Sequence, residues 1–217
     1  DSLYKLYQEC SKDFEMPVYN TMGNHEVFGI YDKSGIDPKH PEYGEKMFQN
    51  RIGRKDYSFD HKGWHFLIID TVEEVEEEGR YMGKISDKQL KWIAEDLKTI
   101  DTSTPICISV HIPLISAATQ IMYGSLEAHK DSWVVSNSKE LLDLFEDYNL
   151  KLVLQGHLHI LEEIYIYDIT FITGGAVSAR WWHGPYHGTE EGFLNVRIKG
   201  DEFSWEYIDY GWDVIEE

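Results

Sequence analysis

"LKLVLQGHLHI", residues 150–160, is an apolar run that stops abruptly at a glycine and two histidines. Leu150, Leu152, Val153 and Leu154 leave almost no polar face, as in a buried strand. "PICISVHIPL" (105–114) has the same build, an apolar strand running into His111. "PVYNTM" (17–22) reads as a third, shorter strand, opening into Gly23-Asn24-His25-Glu26. Amphipathic helices lie between. In "SDKQLKWIAEDLKTI" (86–100), Ser86 and Gln89 fit a capping box, and Leu90, Ile93, Ala94 and Leu97 form one apolar stripe. "SKELLDLFEDY" (138–148) reads as a second helix. Strands alternating with helices and then giving way to hairpins predict an α/β fold with mixed sheets.

Working outward, residues 2–11 predict a helix whose stripe is Leu3, Leu6, Tyr7 and Cys10. "DYSFDHKGWHFLIID" (56–70) is a hairpin turning at Lys62-Gly63. "VEEVEEEG" (72–79) reads as a solvated acidic loop, and residues 29–55 as a long surface excursion. "DITFITGG", "GFLNVRI" and "EFSWEYIDY" close the chain as short strands. Cys10 and Cys107 both fall in apolar patterns and read as buried thiols rather than a disulfide. With no linker or repeat, residues 1–217 form a single domain.

A formal net charge of -19 disfavours binding to nucleic-acid polymers or anionic membranes. No apolar run is long enough to cross a bilayer. An anionic small molecule remains compatible, because bound cations dominate the field of a site.

Each apolar strand stops at Asn or His: Asn24-His25, His111, and His157-x-His159. Ligands of α/β folds bind beyond the carboxyl ends of strands, and neutral imidazole and carboxamide oxygen suit Mn, Fe or Zn alike. On extended backbone, His157 and His159 would project to one side, about 6–7 Å apart. The aromatic loop "SARWWHGPYHG" (178–188) is a candidate wall of a substrate pocket, with Arg180 meeting phosphate and Trp181 or Trp182 stacking on a ring. Asp70, His129 and His65 read as structural or surface residues.

"GNHE" (23–26), "VH" (110–111) and "GHLH" (156–159) together resemble the last three motif blocks of the calcineurin-like metallophosphoesterases, a superfamily that includes purple acid phosphatases and cyclic-nucleotide phosphodiesterases. The resemblance covers nearly the whole chain and implies two packed mixed β-sheets flanked by helices. It implies that Asn24, His111 and His157 bind one metal and His159 a second. His25 would donate to the reacting phosphoryl group or leaving oxygen, and Glu26 would orient His25. The implied reaction is hydrolysis of a small phosphomonoester or phosphodiester by in-line attack of metal-bound hydroxide, with two Mn, Fe or Zn ions.

The family's earlier blocks, Asp-x-His and Gly-Asp-x-x-Asp, do not precede Gly23. The expectation is a fragment of a dinuclear enzyme, missing its N-terminal strands, inactive alone and prone to self-association. The alternative is a non-catalytic ligand-binding protein on the same fold. The helix at 86–97 and the tail at 174–188 look most like secreted or periplasmic bacterial members, which implies that location rather than the cytoplasm.

Overall fold

The protein is described from a computed structural model covering residues 2–75 and 79–214. Alternation along short strands builds its core. In β5 (Ile106–Ser109), Ile106 and Ile108 face one side of the sheet and Cys107 the other. β6 (Leu150–Gln155) divides Val153 from Leu152 in the same way, and β8 (Ile169–Thr173) divides Phe171 from Ile172. With β1 (Tyr57–His61), β2 (Trp64–Ile68) and β7 (Glu162–Ile166) they form a six-stranded sheet in the order β1-β2-β5-β6-β8-β7. The four central strands are parallel, and β1 and β7 are antiparallel edges.

One face carries α3 (Asp87–Leu97) and α5 (Ser138–Asp143). Ile93, Leu97 and Leu141 pack there with Leu67, Ile108, Val153 and Phe171. The other face carries a ribbon of β9 (Gly192–Lys199) and β10 (Glu202–Asp209). Leu194, Val196, Phe203 and Trp205 of the ribbon cover Trp64, Cys107, Leu152 and Ile172. The indole N–H of Trp64, itself fully buried, donates to the Gly200 carbonyl at the ribbon turn, 2.7 Å. The expected α/β class is present, and the second sheet of the layered architecture is this two-stranded ribbon.

Two predicted local structures hold closely. Ser86 accepts from the Gln89 amide while the Gln89 side chain returns to the Ser86 amide, closing the capping box of α3. Lys62 and Gly63 both adopt positive φ, 49° and 84°, as a tight two-residue hairpin requires.

Others are corrected. Residues 17–22 form no strand: Tyr19 is stacked on Phe59 at 3.7 Å, and no described strand pairs with their backbone. α1 (Ser2–Ser11) exists, but its stripe is outside. Leu3 is 78% exposed and Leu6 56%, Cys10 is exposed, and Tyr4 is the side chain that meets the core. Cys107 is buried as expected.

The start of the acidic run is a strand, β3 (Val72–Val75), paired with β4 (Arg80–Gly83). Glu74 is held by accepting the Glu45 amide, and residues 76–78 lie outside the described ones. α2 (Lys46–Arg51) interrupts the surface excursion, α4 (Ala118–Tyr123) occupies part of 115–135, and β7 was not anticipated.

Candidate metal centre

Loops leave the carboxyl ends of β5, β6 and β8 at one edge of the sheet, and buried polar groups lock them together. The Gly156 amide donates to the His111 carbonyl (3.0 Å) and the Gly174 amide to the Gln155 carbonyl (2.8 Å). The buried Gln155 side chain accepts from Leu114 N–H and donates to the Ile115 carbonyl and Thr173 Oγ1. Thr71 Oγ1 accepts from Ile112 N–H at 2.8 Å. Every partner is satisfied internally, so His111 and His157 are presented on a fixed frame.

Three side chains converge on that frame. Asn24 Oδ1 lies 2.8 Å from His111 Nε2 and 3.2 Å from His157 Nδ1, and the two ring nitrogens are 3.2 Å apart. Two donors each about 2.1 Å from a shared ion and at right angles to one another stand about 3.0 Å apart. The triangle therefore has the size of one face of an octahedral site. His157 Nε2 donates to the Ser132 carbonyl at 2.8 Å, which leaves the Nδ1 lone pair turned toward Asn24 and His111. Burial, reinforced by the neighbouring imidazoles, depresses the His111 pKa to about 3. Burial also brings His157 to about 4, with the Ser132 carbonyl opposing the shift. Both rings are thus neutral at ordinary pH, as ligands must be. The donor set fits one Mn, Fe or Zn ion.

Among the described residues no three His, Cys, Asp or Glu side chains form such a group, and no carboxylate hydrogen-bonds these three donors. Asp70 accepts from the Val72 amide and pairs with Lys55 at 2.9 Å, as a loop anchor.

The remaining candidates surround the cluster. His25 is exposed on the turn Asn24–Glu26, near enough to act electrostatically on both His111 and His157. Glu26 accepts from the Gly23 amide at 2.8 Å, and among the described residues no hydrogen bond joins it to the His25 ring. Gly23 is extended (φ -116°), so it supplies space rather than a bend: a Cβ there would stand 3.0 Å from the His111 ring.

His157 and His159 do not lie on extended backbone, since φ is 69° and 57° and β6 ends at Gln155. The chain turns there through a Leu158 amide to Gly156 carbonyl bond. His159 Nδ1 donates to the Ala179 carbonyl at 2.6 Å, which frees its Nε2 as an acceptor. Trp181 lies against His159 with centroids 4.9 Å apart, Trp182 packs edge-on to Trp212 at 5.3 Å, and Arg180 is exposed.

Sequence reasoning missed four groups: the Ser132 carbonyl, Tyr31 paired with the Asn24 carboxamide, Tyr81 edge-on to His157 at 6.1 Å, and Tyr186 beside His159. A backbone carbonyl carries no sequence signal. Tyr186 lay within the quoted loop, where two adjacent tryptophans drew the reading.

Comparison with known proteins bears on the family and the fold. The family model described as calcineurin-like phosphoesterase matches residues 2–161, which include all three donors. The "Probable cyclic nucleotide phosphodiesterase" of Xenorhabdus bovienii is 24% identical over 181 residues, 83% of this chain and 64% of its own length. The chain thus spans just under two thirds of that relative. A dimetal phosphatase from Danio rerio superposes with a TM-score of 0.59 at 16% identity, over 95% of this chain and 73% of its own. GAP50, the anchor in the inner membrane complex of Plasmodium, superposes with a TM-score of 0.54 at 17% identity, over 94% and 65%. These two likenesses concern the fold. The family match extends over most of the chain and takes in the converging donors, and the chain belongs to the calcineurin-like phosphoesterase family.

Proposed function

We propose that this chain is the larger part of a metal-dependent phosphoesterase acting on small phosphomonoesters or phosphodiesters. The convergence of Asn24, His111 and His157 carries the reading. These three would hold one cation, and His159, its Nε2 free, would contribute to a second. Bound cations supply charge neutralisation at the phosphoryl oxygens and a nucleophile at neutral pH. The chain's own residues do the rest. His25, exposed at the mouth of the cluster, donates a proton to the leaving oxygen. Glu26 acts through the backbone, holding the Gly23 amide and so fixing the turn that carries Asn24 and His25. Arg180, exposed on the loop that carries Trp181, meets phosphate charge.

Three neutral donors leave a cation's charge uncompensated. We therefore propose that the span by itself turns over little or no ester and that the complete site draws acidic ligands from outside the described residues. The second reading is a non-catalytic ligand-binding protein on the same fold, a fold shared with GAP50, the anchor in the inner membrane complex of Plasmodium. Calorimetric titration tests the first. The chain should take up Zn2+ or Mn2+ weakly. His157→Ala should abolish uptake, and His25→Ala should leave the affinity within about twofold, since it removes no ligand. Equal loss in both variants would contradict the assignment of His25. Turnover near a typical enzyme rate, about 10 per second, by this span with added metal would contradict its incompleteness.

A further inference from the structure

We propose that Trp181 and Tyr186 form an aromatic platform beside the metal centre that selects esters carrying a planar ring. The Trp181 ring lies against His159, 4.9 Å between centroids and tilted 37°. Tyr186 meets His159 edge-on at 6.4 Å and Trp181 edge-on at 6.0 Å, closing the corner. Trp181 is nonetheless 56% exposed, so one side of the indole rests on a candidate metal-site histidine and the rest faces solvent. A large aromatic held open at a site is a surface for a ligand ring, because its π-face stacks with any planar ring and is sequence-tolerant in doing so.

The backbone has been forced to present it. Within ten residues Ala179, Trp181, Trp182 and His187 all adopt positive φ (38°, 50°, 69° and 48°), a region that side chains with a Cβ rarely occupy. Strain of this kind persists only where the surroundings over-determine it, and it clusters at ligand clamps. The surroundings here are explicit. Ala179 is fully buried and its carbonyl holds His159, the Trp182 amide donates to the Ser178 carbonyl, and Trp182 is seated on Trp212. Tyr186 exchanges both backbone bonds with Thr189 at 2.9 Å. Both tryptophans are partly open, Trp181 at 56% and Trp182 at 46%, but Trp181 is the one that lies against His159, whereas Trp182 meets Trp212 edge-on. His159 acts electrostatically on both His111 and His157, so a ring stacked on Trp181 would carry its phosphoryl group on the side of the three-donor cluster where His159 lies.

The platform rests on the phosphoesterase reading for the position of the phosphoryl group, but not for the ring contact. Binding of adenosine monophosphate, phenyl phosphate, glycerol phosphate and adenosine to the 217-residue chain with Mn2+ tests the two separately. Both ring-bearing esters should bind at least about tenfold more tightly than glycerol phosphate. Trp181→Ala should erase that ratio without moving the melting temperature, and Trp181→Phe should restore most of it. Equal affinity for all three esters, unchanged in Trp181→Ala, would overturn the platform and leave the phosphoesterase reading standing. Adenosine binding as tightly as its monophosphate, with glycerol phosphate not bound and the Trp181→Ala loss retained, would support the platform while removing the phosphoesterase reading. A ring preference that survives in Trp181→Ala would also overturn the proposal.

Discussion

At His157 one bond decides the chemistry of the ring. The Ser132 carbonyl accepts a hydrogen bond from Nε2–H, so the Nδ1 lone pair is fixed toward Asn24 and His111. The histidines were legible in the sequence because residue type and position after an apolar run speak for themselves. The carbonyl that sets the tautomer was not, because it comes from a loop distant in sequence and belongs to the backbone. The same limit explains Glu26, whose type suggested a partner for His25 and whose actual bond is to a backbone amide. The two buried imidazoles also make a prediction about pH. Burial holds His111 near 3 and His157 near 4, while the unfolded chain returns each to 6.5. Between those values the unfolded state binds more protons, so stability rises with pH. The urea midpoint should be flat above about pH 7.5. It should fall as the pH drops from 6.5 toward 4, with a stability loss of ~2 kcal/mol per histidine at about pH 5. His157→Gln should remove its share of the slope. A midpoint that rises on acidification over this range would contradict the burial argument.

Elements were legible where local chemistry and tertiary need coincide. The capping box of α3 and the Lys62-Gly63 turn are specified by neighbouring residues and stand as read. Residues 17–22 and the stripe of α1 failed because their pattern announces an apolar face without saying what covers it. Leu3, Leu6, Phe14 and Met16, all within the first 16 residues, are 78%, 56%, 59% and 62% exposed, and exposed apolar side chains close in sequence favour association. Sedimentation velocity on the 217-residue chain should show association that grows with concentration. Leu6→Glu with Met16→Glu should suppress it while changing stability by no more than about 0.5 kcal/mol per site, since neither side chain is buried. A strict monomer at every concentration would contradict this.

Across the whole molecule, the helix layer, the six-stranded sheet and the ribbon place three loops at one edge, and the ribbon is the part most dependent on a single residue. The predicted strands at 192–198 and 202–210 gave the hairpin, but not the face it covers, which follows from Trp64, Cys107, Leu152 and Ile172 lying on the side away from α3 and α5. Trp64→Ala should cost about 3–5 kcal/mol and speed amide exchange in residues 192–209. A loss below about 1 kcal/mol would mean that the ribbon is not packed as described.

If Asn24, His111 and His157 form one cation-binding face, histidine ring-nitrogen NMR during a Zn2+ titration reads the event at the ligating atoms themselves. The account predicts that His111 Nε2 and His157 Nδ1 move together to metal-bound shifts, while His157 Nε2 stays protonated on the Ser132 carbonyl. Zn2+ taken up at His25 or at another exposed histidine, with the His111 and His157 nitrogens unmoved, would contradict it.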